Sequence, residues 1–178
     1  MNGRTGKVVI AAAIAIGAMA AFVWNHLGPS SFRRPTGETS IPYGLQAAAK
    51  RYFQRGGKYE WGANDCSMFL IDYLKAHDVP FTRRLTTKEF ADPRLMKQLG
   101  LNRVTDSLKP GDVLVYRFRN GRSYGHCGVV VLERGDIKVV HNSKAAGGLT
   151  TSSYDDFIEK AEEVGVQLSQ VLAYRPIQ

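Results

Sequence analysis

The spacing of apolar residues changes once along this chain, and that change bounds what it can fold into. Up to Gly100 the apolar positions recur at helical spacing; after Pro110-Gly111 they alternate or run β-branched, as strands do. Residues 43–55 put Leu45, Ala48, Ala49, Tyr52 and Phe53 on one side of a helix that Gly56-Gly57 stops. Residues 66–77 predict a second helix, with Cys66, Phe69, Leu70, Tyr73 and Leu74 at i, i+3, i+4, i+7 and i+8. Thr86 and Glu89 have capping-box spacing for a short helix over 87–91, and Asp92-Pro93 starts another that Gly100 closes. Residues 112–119, 126–132 and 137–142 then read as a three-strand antiparallel meander, turning at Asn120-Gly121 and at Arg134-Gly135-Asp136. A helix over 154–162 and a closing strand over 169–175 complete the pattern. Helices first and strands afterwards predict an α+β domain, with helices packed on a face of one antiparallel sheet.

The N-terminus has a different character. Residues 8–24, VVIAAAIAIGAMAAFVW, carry no charge and follow Arg4 and Lys7. Residues 1–25 are read as a membrane anchor, or as a signal segment cleaved after the small residues around Ala18-Met19-Ala20. Residues 26–42, rich in Pro, Gly and Ser, read as a linker, and 43–178 as a single domain. Either route places the domain outside the cytoplasm: anchored on the periplasmic or wall side, or secreted if residues 1–20 are removed. Beyond residue 24 there are 22 basic and 16 acidic side chains, a net of +6. That surplus suits an anionic partner such as a wall polymer or lipid head groups. Nucleic acid is not expected, because export separates the two and no nucleic-acid motif appears. Two cysteines, Cys66 and Cys127, are too few for a disulfide scaffold, although in an oxidising compartment they can form one bridge.

Cys66 sits where a polar turn becomes a helix. Asn64 or Asp65 is a good N-cap, which puts Cys66 in the first turn. Unpaired N–H groups and the positive end of the helix dipole favour thiolate there, and the same N–H groups can bind an oxyanion. Of the four histidines, His26 falls in the linker and His77 ends a helix, where a cation suits the dipole. His126 and His141 remain. If a hairpin closes at Glu133-Arg134-Gly135-Asp136, Leu132 faces Ile137, Val130 faces Val139 and Gly128 faces His141. His126 and His141 then share one sheet face as diagonal neighbours. Cys127 projects through the other face, which argues against a Cys66–Cys127 bridge if the helix covers the histidine side. Asn142 also points away from the histidines. The arrangement suits a nucleophile (Cys66), a proton carrier (His126) and an orienting third residue (His141). The competing readings are a buried core thiol and a zinc site of Cys66, His126, His141 and water, whose spacing matches no zinc signature. Trp61 is expected to pack against the domain.

Taken together, Tyr59-x-Trp61-Gly62, Asp65-Cys66-Ser67, LKPGD, Gly125-His126-x-Gly128-Val129-Val130 and Val140-His141-Asn142 resemble the NlpC family over residues 43–175. These are cell-wall cysteine peptidases with a minimal papain-like fold. The resemblance implies Cys66 as nucleophile, His126 as base and His141 as orienting residue. It implies Tyr59 near the oxyanion, helped by N–H groups at Cys66–Ser67, and Asp65 and Ser67 in a substrate subsite that takes a free amine in some members. It also implies a monomer that needs no metal or other cofactor and cleaves peptide or amide bonds of peptidoglycan stem peptides, often beside D-glutamate and diaminopimelate. Met68 and Ala63 stand where the family favours Gly, and Cys127 where a plain aliphatic residue is usual. Met68 bears on substrate preference more than on the reaction. A membrane-tethered, non-catalytic module that binds wall or a partner protein on the same fold is the alternative. Which bond is cut, and whether water or an amine accepts the acyl group, is not written in the residues.

Overall fold

The computed structural model describes residues 38–117, 125–167 and 170–177. The apolar segment 8–24, the linker up to residue 37, His26 and the Asn120-Gly121 turn lie outside the described residues. Among the described residues no helix is long and apolar enough to cross a membrane.

The domain is α+β. Helices α1 (Leu45–Gln54), α2 (Cys66–Lys75), α3 (Thr87–Phe90) and α4 (Pro93–Gln98) precede most of the sheet, and α5 (Tyr154–Glu163) interrupts it. The strands are β1 (Leu101–Arg103), β2 (Val113–Arg117), β3 (Gly125–Glu133), β4 (Asp136–Ser143), β5 (Gly148–Ser153) and β6 (Leu172–Pro176). They form one antiparallel sheet in the order β1-β6-β2-β3-β4-β5. The meander is its centre, β2-β3-β4. The closing strand inserts between β1 and β2 instead of extending the meander.

Local chemistry explains the helix ends. The Thr86 hydroxyl accepts from the Glu89 N–H while Glu89 returns to the Thr86 N–H, the reciprocal box its spacing predicts. Asp92 caps α4 with Pro93 in its first turn, and Gly100 follows in a left-handed conformation. α2 ends at Lys75, two residues short of the sequence reading, because the chain turns through Asp78 at φ 58°. Asp72 of α2 is buried under Arg55 and Arg51, which ties α1 to α2. Residues 38–40 lie along the β3–β4 hairpin. Ser40 exchanges backbone bonds with Leu132 (2.8 and 3.1 Å), and the Gly135 N–H donates to the Glu38 carbonyl.

The two faces of the sheet bury different partners. Val113, Val115, Cys127, Val129, Val131 and Val140 join Tyr52, Cys66, Phe69, Leu70 and Tyr73 in one apolar cluster. Leu114, Tyr116, Val130 and Val139 pack with Phe157, Ile158 and Ala161 of α5 in another. Strand alternation produces this division. It decides which side chains can meet at the site.

Candidate active site

A tight turn presents Cys66. The Glu60 N–H donates to the Asn64 carbonyl, and the Asn64 N–H returns to Glu60 (3.1 and 2.8 Å). The buried Asn64 side chain holds the turn from inside. Its amide donates to the Lys58 and Tyr52 carbonyls, and its oxygen accepts from Arg55 Nε at 3.0 Å. Asn142, buried on β4, donates to the Asn64 carbonyl at 2.7 Å. The N-cap is Asp65: its Oδ1 accepts from the N–H groups of Ser67 and Met68, both at 3.1 Å. The Ser67 N–H, one of the predicted oxyanion donors, is therefore committed to the cap. The Cys66 N–H has no partner among the described residues and remains available.

The histidines are placed as the register requires. β3 and β4 pair with Val130 opposite Val139 and Leu132 opposite Ile137. His126 Nε2 lies 2.7 Å from His141 Nδ1, with the rings nearly perpendicular and their centroids 4.8 Å apart. His126 stacks on Phe157 of α5 and meets the edge of Tyr116, its neighbour across β2. His141 Nε2 lies 2.8 Å from Ser152 Oγ. Ser152 sits on β5, a strand absent from the sequence reading, and nothing in GLTTSS marked it as a hydrogen-bond partner.

One premise is corrected. The histidine face of the sheet is covered by α5, while α2 covers the opposite face, the one that carries Cys127. The argument against Cys66 meeting Cys127 therefore fails. The two thiols are neighbours, although both are free. The reason is topological: a helix and a strand face can be read from periodicity, but which face receives which helix depends on the crossovers.

The electrostatics follow from these contacts. The Cys66 thiol is held well below the usual thiol range, first by a hydrogen bond from Cys127, then by the charge and hydrogen bond of His126; burial and Asp65 oppose them. Cys127, fully buried beside a thiolate, is pushed well above that range by burial and then by Cys66. It stays a proton donor. His141 is pushed down to about 3, by burial first and by the charge of His126 second, so it is neutral. A neutral His141 that accepts at Nδ1 must carry its proton on Nε2, aimed at Ser152. Burial, then the charge of Cys66, keeps the half-buried Tyr59 phenol protonated, a hydrogen-bond donor beside the sulfur.

The NlpC/P60 family model matches residues 51–167. The chain belongs to the NlpC/P60 family. Members of that family are cysteine peptidases and amidases that act on peptidoglycan. No curated protein matches the chain. Among solved structures, a chain of the type VI native effector–immunity complex Tae3–Tai3 from Ralstonia pickettii is similar at 14% identity, with a TM-score of 0.43, covering 76% of this chain and 100% of that one.

In this NlpC/P60 domain a cleft of about 330 Å³ opens on Cys66 and Gly125, walled by Trp61, Asp65, Ser67, Arg84, Thr86, Thr87 and Lys88. Trp61 is 59% exposed and forms one wall of this cleft. Arg84 and Lys88 had no place in the sequence reading: they lie 18 and 22 residues beyond Cys66, in a loop and in a single-turn helix whose capping box marks a helix start and no chemistry. His77 is remote from this arrangement; its Nε2 lies 2.8 Å from the Tyr43 carbonyl. No group of His, Cys, Asp and Glu able to hold a metal occurs among the described residues.

Proposed function

We propose that the chain is a papain-like thiol hydrolase that cleaves peptide or amide bonds in peptidoglycan stem peptides. The observation that carries this reading is the line His126–His141–Ser152 beside a thiol whose proton is easily lost. The Cys66 thiolate attacks the scissile carbonyl carbon, and the carbonyl electron pair moves to oxygen. The Cys66 N–H and the Tyr59 hydroxyl are the donors placed to meet that oxyanion. His126, an imidazolium after taking the thiol proton, passes it to the departing amine as the C–N bond breaks and a thioester forms. Water, deprotonated by His126, then releases the acid and restores the thiol. His141 accepts from His126 Nε2 and holds the ring in the orientation this exchange needs. The uncharged N-terminal segment and the basic surplus fit a protein, which we take to act as a monomer, held at or released from the outer side of a membrane, where its polymer lies.

Digestion of purified sacculi with the full chain, read by mass spectrometry of the muropeptides, tests the proposal. Wild type is expected to yield one new class of peptide end, insensitive to chelator and lost after thiol alkylation. Cys66→Ala and His126→Ala each remove turnover while the fold persists, and His141→Ala leaves residual activity. Wall binding without any new end would sink the hydrolase and favour a non-catalytic module.

A further inference from the structure

We propose that Cys66 and Cys127 form a peroxide-responsive pair, in which Cys66 takes the oxidant and Cys127 closes a reversible disulfide that switches the nucleophile off. The chemistry needs only the two thiols; the off state rests on the hydrolase reading above. The first reason is contact. Cys127 hydrogen-bonds to the Cys66 sulfur, and both side chains sit in the apolar cluster between α2 and the sheet. Separate elements hold them there. Cys66 opens α2 behind the Asp65 cap, and Cys127 lies within β3, opposite Val115 of β2. Both sulfurs are free, and the chain has no third cysteine to compete for either. The family resemblance leads to an aliphatic residue at position 127, which would fill the space and react with nothing.

The second reason is unequal access. Cys66 lines the cleft, whereas Cys127 is 0% exposed and lies outside its lining. A small hydroperoxide therefore meets Cys66 first. The third reason is unequal charge. Cys66 is the sulfur that holds the thiolate, through Cys127 first and His126 after it; Asp65, whose charge opposes, is paired with Arg84. Access and thiolate character together select the cysteine that is oxidised. The Cys66 thiolate attacks one peroxide oxygen, the O–O bond breaks, and Cys66 becomes a sulfenic acid. The departing hydroxide takes the proton that His126 drew from the thiol and leaves as water. Burial, and then the Cys66 thiolate, keeps Cys127 protonated. Oxidation of Cys66 removes that negative charge, so Cys127 ionises more readily once its attack is needed. Its sulfur attacks the Cys66 sulfur, the S–O bond breaks, and a second water leaves with the Cys127 proton. The pair has then given two electrons to one peroxide. A dithiol reductant reopens the bridge by exchange. Without the second thiol, more peroxide would carry Cys66 on to sulfinic and sulfonic acids, which a dithiol does not reverse.

The test treats the reduced full chain with hydrogen peroxide and follows two readouts. One is a peptide mass map of Cys66 and Cys127; the other is the release of new peptide ends from sacculi. Wild type is expected to show a Cys66–Cys127 link within one chain, with two hydrogens lost, and turnover that falls in step with it. Dithiothreitol then restores both thiols and the initial rate. Under the same treatment Cys127→Val is expected to gain two or three oxygens on Cys66 and to stay inactive after dithiothreitol. Should that variant not fold, the wild-type map decides alone. Three results overturn the inference: peroxide that modifies neither sulfur, oxygens that accumulate on wild-type Cys66 without a link, or a Cys127→Val that recovers as wild type does. A reversible link in a protein that never cleaves sacculi would keep the thiol pair and remove the hydrolase, and the off state with it. Cleavage that peroxide abolishes without a link would do the reverse. Turnover that continues in fully linked protein would remove both, as would the absence of link and cleavage alike.

Discussion

Two thiols meet at the start of α2, and they divide one proton unequally. Cys66 has the cap-end N–H, His126 and the Cys127 S–H to favour its anion, whereas Cys127 is fully buried on β3 with a thiolate for a neighbour. A plain aliphatic residue at position 127 would fill the same space and donate nothing. Cys127→Val is therefore expected to move the pH midpoint of Cys66 alkylation upward with little loss of stability. In wild type the alkylation rate should fall far less between pH 8 and pH 6 than that of a free thiol, which drops about tenfold per unit below its pKa. A midpoint that does not move in Cys127→Val would mean that the second thiol only packs. Cys66 as a candidate nucleophile was legible from Asp65, its helical position and two histidines in order. The contribution of Cys127 was not, since alternation along β3 says which way a side chain points but not what waits there.

At the scale of elements, the β3–β4 hairpin does the positioning, and Gly128 is its critical residue. A Cβ at Gly128 would stand 2.5 Å from Val139 Cγ1, 3.0 Å from the Val140 carbonyl oxygen and 3.1 Å from His141 Cβ. The missing side chain lets His141 lean diagonally towards His126. Gly128→Ala is expected to cost about 1–3 kcal/mol, as overpacking does, and to lower kcat by separating the two rings. Chemical denaturation and steady-state kinetics together check this; a drop in stability with unchanged kcat would show that the hairpin tolerates the methyl elsewhere. The register itself was readable, because Arg134 and Gly135, at φ 55° and 89°, form the tight two-residue turn that fixes it. β5 was not readable. Apart from Gly148 and Leu149 its residues are Thr and Ser, which show no apolar alternation, and they become a strand by pairing along β4, an edge that does not exist until the hairpin has formed.

At the scale of the molecule, His141 links the site to the stability of the whole domain. Folded, it takes a proton only near pH 3; unfolded, near its ordinary 6.5. Between those values the unfolded chain binds the extra proton, so its contribution is complete above pH 6.5 and is lost as pH falls towards 3. Unfolding free energy is expected to fall by about 2 kcal/mol from pH 7 to pH 5 on this account, and His141→Gln should flatten that slope. An equal slope in the variant would assign the acid sensitivity to other groups.

From its residues alone this chain determined an α+β domain, the caps of its helices, the hairpin register and the shared face of His126 and His141. Each of these depends on neighbours close in sequence or on strict alternation. Only the tertiary structure decided that α2 covers the Cys127 face and α5 the histidine face, that Ser152 ends the line from His126, and that Arg84 occupies Asp65 beside the cleft. Those contacts join distant segments through crossovers and loops, and a loop residue such as Arg84 has no period to reveal what it will meet.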